Sequence, residues 1–153
     1  MYPRMERSNP PVTLDAIRNF EQSRNLTLSA EYVDFLLATN GGSPASTAFP
    51  IRGLGPSGIG IIQSFSGIGV LHPTEELSYS FDLYAGAIPK DVLLIAGNGG
   101  GDYICLDYRT GSTRVAFWDK GHFWGTGEWR ESDLYHVANS FGEFLESLRP
   151  SPH

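Results

Sequence analysis

Three short apolar runs decide the fold: Val92-Leu93-Leu94-Ile95-Ala96, Tyr103-Ile104-Cys105-Leu106-Asp107 and Arg114-Val115-Ala116-Phe117-Trp118. Gly97-Asn98-Gly99-Gly100-Gly101 separates the first two, and Thr110-Gly111 marks a turn before the third. Neither gap reaches the roughly dozen residues that a parallel crossover needs, so neighbouring runs pair antiparallel. Upstream, Ile59, Ile61, Gln63 and Phe65 alternate with Gly60, Ile62 and Ser64, a period of two that predicts a strand. The Gly/Pro/Ser-rich stretch 43–58 reads as a long loop with at most a short edge strand near Ala48 to Arg52.

Helices flank this sheet. Thr13 is an N-cap candidate with Asp15 in the first turn, and Val12 and Ile17 have the spacing of a hydrophobic staple. Leu14, Ile17 and Phe20 share one face, which predicts a helix over 14–24. Ser29 repeats the pattern ahead of Tyr32, Val33, Leu36 and Leu37, and Asn40-Gly41-Gly42 stops that second helix. Leu77, Phe81 and Tyr84 predict a middle helix near 75–84, ended by Gly86 and Pro89. Ser140-Phe141-Gly142-Glu143 has the form of a capping box, and Phe141, Phe144, Leu145 and Leu148 continue one apolar face up to Pro150. The segment 119–132 shows no regular period, and residues 1–12, with Pro3, Pro10 and Pro11, read as a loose lead-in. The order is α-α-β-α-β-β-β-α. It predicts a single α+β domain over 1–153, a mainly antiparallel sheet covered by N-terminal, middle and C-terminal helices.

Composition narrows function. The chain has 153 residues, a size at which one core supports itself without staples. Eleven basic against seventeen acidic residues leave a net charge of −6. That balance argues against general binding to nucleic acid or anionic membranes, which needs a basic surface. A single cysteine, Cys105, excludes an internal disulfide and a cysteine zinc cage. The opening residues lack a secretory apolar run, and the longest aliphatic run is far below a membrane span. The expectation is a soluble, cytoplasmic protein.

The chemical motifs are weak. Gly53 to Gly58 spells G-x-G-x-x-G, but a strand follows it where a dinucleotide site requires a helix. His72, His122, His136 and His153 are scattered, and no pair has ligand spacing on a helix. No G-x-S-x-G elbow is present. Cys105 sits inside an apolar run and reads as a small buried hydrophobe. Asp119 and His122 are the nearest thing to a catalytic or ligand-binding pair. The aromatics Phe117, Trp118, Phe123, Trp124 and Trp129 fall close together among the acids Asp119, Glu128 and Glu131. Nucleic-acid stacking would pair them with an excess of cations, so packing or a protein interface explains them better.

Four segments in order give the chain a family likeness. They are Glu31-Tyr32-Val33-Asp34-Phe35-Leu36-Leu37-Ala38-Thr39-Asn40-Gly41-Gly42, Ile88-Pro89 leading to Ile95-Ala96, Gly100-Gly101-Asp102-Tyr103 followed by Phe117-Trp118-Asp119, and Ser140-Phe141-Gly142-Glu143-Phe144-Leu145. Together they resemble the SMI1/KNR4 family, the SUKH superfamily, over about residues 14–148. The resemblance implies the same α+β order, no catalysis, no metal and no cofactor. Bacterial members look like immunity proteins that neutralise polymorphic toxins, many of them nucleases; fungal relatives look like regulatory adaptors. The expected partner is therefore a protein, a basic toxin domain, and an acidic binder gains on-rate against such a surface. Candidate contacts are the acids and aromatics near the sheet's turns: Asp102, Asp107, Trp118, Asp119 and Trp124.

Overall fold

The chain folds around one five-stranded antiparallel meander with helices on both of its faces. The computed structural model describes residues 2–54 and 58–151. In chain order the elements are β1 (Met5–Arg7), α1 (Leu14–Arg24), α2 (Ala30–Thr39), β2 (Ser43–Pro44), β3 (Ala48–Pro50), β4 (Ile59–Ile61), β5 (Ser64–Phe65), a 3-10 turn (Pro73–Glu75), α3 (Leu77–Leu83), β6 (Val92–Gly97), β7 (Tyr103–Asp107), β8 (Arg114–Trp118), α4 (Gly121–Thr126), a second 3-10 turn (Glu131–Asp133), β9 (Leu134–Ala138) and α5 (Phe141–Glu146). Strand order in the main sheet is β5-β6-β7-β8-β9, and two-stranded ribbons β1-β2 and β3-β4 stand beside it.

Local chemistry explains the helices. Thr13 Oγ1 accepts from the Ala16 N–H at 3.1 Å and starts α1. Ser29 Oγ accepts from the Tyr32 N–H at 3.4 Å and starts α2. Ser140 Oγ takes the Glu143 N–H at 3.1 Å, and Glu143 Oε1 in return takes the Asn139 N–H at 3.3 Å, one residue earlier than a standard capping box.

Alternation divides the sheet into two packed faces. Leu93, Ile95, Ile104, Leu106, Val115 and Phe117 face the large core, where α1, α2 and α5 bring Ile17, Phe20, Phe35, Leu36, Phe141 and Phe144. Phe35 sits edge-on to Phe65 and Phe141, with ring centroids 4.9 and 5.2 Å away. Val92, Leu94, Cys105 and Trp118 face the opposite way into a smaller cluster, covered by Tyr84, Phe123 and Trp129.

Four expectations need correction. The lead-in is tied down: Met5–Arg7 pairs with β2, and Arg7 reaches Glu75 Oε1 at 2.6 Å. The run 59–65 is two strands, because the Ile62 N–H goes to Thr47 O while the Gln63 N–H goes to Gly97 O, switching sheets between them. Segment 119–132 contains α4 and part of a 3-10 turn. Strand β9, absent from the sequence reading, closes the meander against β8. Residues 55–57 of the G-x-G-x-x-G stretch, and His153, lie outside the described residues.

The Asn40-Gly41-Gly42 stop does more than end α2. Gly41 and Gly42 have φ of +77° and +103°. A Cβ on Gly41 would strike the Ser66 and Phe65 carbonyls, and one on Gly42 the Arg7 carbonyl. Gly42→Ala is therefore expected to cost more than ~2 kcal/mol, from left-handed strain plus a backbone clash. Thermal unfolding followed by circular dichroism should show a melting temperature at least roughly 4–8 °C lower. Gly69→Ala carries similar strain, at φ +69° but in open space, and should lose only about half as much.

Candidate partner-binding surface

The β6–β7 turn and α4 together build an exposed corner over the second sheet face. Within the turn, Asn98 Oδ1 accepts from the N–H groups of Gly100 at 2.8 Å and Asp102 at 3.0 Å. Asn98 Nδ2 donates to Asp102 Oδ2 at 3.3 Å. Asp102 Oδ1 then takes the backbone N–H of Lys120 at 2.8 Å, which clamps the turn to the start of α4. Asp119 Oδ1 accepts the Gly121 N–H at 3.1 Å, and the Asp119 N–H donates to Asp133 O at 2.9 Å.

Lys120 is the keystone of this corner. It is buried, and its Nζ donates to Tyr84 Oη at 2.6 Å. The same ammonium lies 5.2 Å from the Tyr84 ring, 5.3 Å from Tyr103 and 5.1 Å from Trp124. Three aromatic faces take the place of a carboxylate around it, and such contacts are each worth about 0.5–2 kcal/mol. Burial, then the bond to Tyr84, pushes the Tyr103 phenol up to about 12, so it stays neutral at physiological pH. Trp124 is held on one ring face and is 82% exposed. A cavity of about 260 Å³ opens beside it, between Gly100, Gly101, Asp102 and Gly121. Across the Gly101–Asp102 wall lies a polar bowl of about 500 Å³ lined by Ser43, Ser64, Ser66 and Thr74.

The corner unites three of the five expected contacts: Asp102, Asp119 and Trp124. Trp118 is fully buried, with Tyr84, Phe123 and Trp129 rings 5.2–5.4 Å away, and has no surface to offer. Asp107 is buried at the other end of the face. It accepts from Arg109 Nε and Nη2 at 3.0 Å, and Arg109 Nη1 and Nη2 also grip Glu131 at 2.5 and 2.8 Å. This is an ion-pair network that holds β7 to the β9 approach. Asp119 and His122 take different partners; His122 Nε2 meets Glu128 Oε1 at 3.1 Å. Among the described residues, no three His, Cys, Asp or Glu side chains group as metal ligands, and no helix is long and apolar enough to cross a membrane. Burial pushes the Cys105 thiol far up, which suppresses the reactive thiolate.

Residues 11–147 match the model of the SMI1 / KNR4 family (SUKH-1). The chain belongs to the SMI1/KNR4 family. In this SMI1/KNR4 domain the Asn40-Gly41-Gly42 segment is the end of α2, Ile88-Pro89 leads into β6, and Gly100-Gly101-Asp102 forms the corner just described. The chain is also 31% identical over 94 residues to the SPbeta prophage-derived uncharacterized protein YokK of Bacillus subtilis (strain 168). That match covers 60% of this chain and 43% of the relative, so the chain spans less than half the relative's length.

Acid should weaken the fold through the carboxylates that arginines hold. Burial alone would raise Asp107, but hydrogen bonds from Arg109 and the charges of Arg109 and Arg114 lower it overall. Glu131, bonded to Arg109, and Asp133, bonded to Arg130, are lowered as well. A lowered folded-state value means stability that is present above the unfolded value and lost as pH falls through the folded one. The melting temperature is expected to hold between about pH 7 and 5 and to fall below about pH 4. Asp107→Asn should start lower at pH 7 and fall less steeply.

Proposed function

We propose that this protein is a non-catalytic binding module, an immunity protein that occupies a basic toxin domain through the corner formed by Asp102, Asp119 and Trp124. The observation that carries the reading is Trp124: a large aromatic ring 82% exposed, yet fixed from behind by the Lys120 ammonium. Interface energy concentrates in such pre-positioned aromatics. Asp102 lines the cavity beside it and Asp119 stands just before α4, within a chain of net charge −6. A toxin that handles nucleic acid needs a phosphate-facing basic surface, and these acids complement it. Family membership supports the same role.

The test is a pull-down from the native host with this protein as bait, followed by affinity measurement on the toxin domain it captures. Trp124→Ala should weaken the complex by about 2–4 kcal/mol, roughly 30- to 1,000-fold, while the free protein's melting temperature falls by only about 1–4 °C for the lost contact with Lys120. Paired Asp102→Asn and Asp119→Asn changes should slow association and flatten its salt dependence. An unaltered complex with Trp124→Ala, together with association indifferent to ionic strength, contradicts the proposal.

A further inference from the structure

The second sheet face has an opening that the proposed corner does not use. Between the end of α1, the C-terminal part of α3 and strand β6 lies a groove of about 380 Å³, a size within the ~300–1,000 Å³ of small-molecule sites. Val92 and Leu94, buried in the sheet, form its floor, and Phe81, Tyr84 and Ile88 form its walls. Among the described residues no acidic side chain is on its lining, although the chain has seventeen; the charged groups there are Arg24 and Lys90. Arg24 is already engaged, with Asp82 at 3.0 Å and Ser23 Oγ at 2.7 Å, and its guanidinium lies over Phe81. Lys90 is exposed and has no hydrogen bond or ion pair among the described residues. An otherwise acidic chain thus presents here an apolar trough under one unengaged ammonium.

We propose that this groove binds a medium-chain aliphatic carboxylate, the alkyl body against Val92, Leu94 and Phe81 and the carboxylate at Lys90. Both halves of the ligand follow from the lining. An alkyl chain gains by leaving water for a floor with no polar group to leave unpaired. A carboxylate head meets at Lys90 a cation that has no ion pair among the described residues, while Asp82 is taken up by Arg24.

Isothermal titration of the whole protein with hexanoate, octanoate, decanoate and neutral octanamide, each below its aggregation concentration, tests this directly. Affinity is expected to rise about fourfold per added methylene until the groove is filled. Octanamide should bind roughly two- to fivefold more weakly than octanoate, since an exposed ion pair adds little. Lys90→Glu, on the surface, should weaken octanoate and leave octanamide unchanged. Ala85→Trp, an exposed position on the lining, should abolish binding of all four. Absence of saturable binding, indifference to chain length, or full binding by Ala85→Trp overturns the site. Equal binding of octanoate and octanamide in the wild type overturns the carboxylate assignment. Tighter binding of N-acetyl-leucine than of octanoate would overturn it in favour of a peptide terminus.

Discussion

The fold hangs on the buried amide of Asn40. Its Nδ2 donates to Pro10 O at 2.8 Å and to Ile68 O at 2.7 Å, and its Oδ1 accepts the Ile68 N–H at 2.9 Å. Its own carbonyl takes Asn9 Nδ2 at 2.9 Å, and its N–H closes α2 on Leu36 O. A buried polar side chain satisfied in this way is specific: of the two side-chain amides, the shorter asparagine is the one favoured in the left-handed backbone that Asn40 adopts. Gly42 then exchanges both backbone hydrogen bonds with Phe65, at 3.0 and 2.7 Å, and so stitches the segment between α2 and β2 to the edge of the main sheet. With α2 anchored there, Tyr32, Phe35 and Leu36 are aimed at the large core, and the sheet behind them has a fixed position.

A sheet placed this way has one sealed face and one half-sealed face. The sealed face carries the aromatic core under α1, α2 and α5. The other is covered in patches, by Tyr84 and α4 at one end and by the Asp107–Arg109–Glu131 network at the other. Helix α4 has no buried residue of its own. It is kept in place by the Asp102 carboxylate at its start and by Lys120 among its rings. An element held by a few polar and cation–π contacts can present a side chain outward without collapsing onto the core. That is how Trp124 comes to be both fixed and exposed.

Much of this was legible in the residues. The caps at Thr13, Ser29 and Ser140, the Asn40 stop and the three central strands follow from local chemistry, and the helix α1 starts and ends where its pattern says. What failed to show were elements made by tertiary contact. Strand β1 is three residues long and exists because β2 pairs with it. In β9 the alternation is blurred, since Leu134 and His136 lie on the partly open face and the register slips against β8. Helix α4 contains Gly121 and Gly125, which erase any apolar period. For the site, Trp118 was chosen for its place near the sheet's turns, whereas alternation after Phe117 turns it into the second buried cluster. Lys120 and Tyr84 carried no signal, because their partnership joins positions 36 residues apart.

In the proposed mode of binding, this SMI1/KNR4 domain grips a protein partner at the corner where the β6–β7 turn meets α4. Amide hydrogen exchange on the complex with the proposed toxin partner reads that location directly. Protection gained on binding should concentrate in residues 98–103 and 119–127. Protection confined to the outer faces of α1 and α2, with those two segments exchanging as in the free protein, would contradict it.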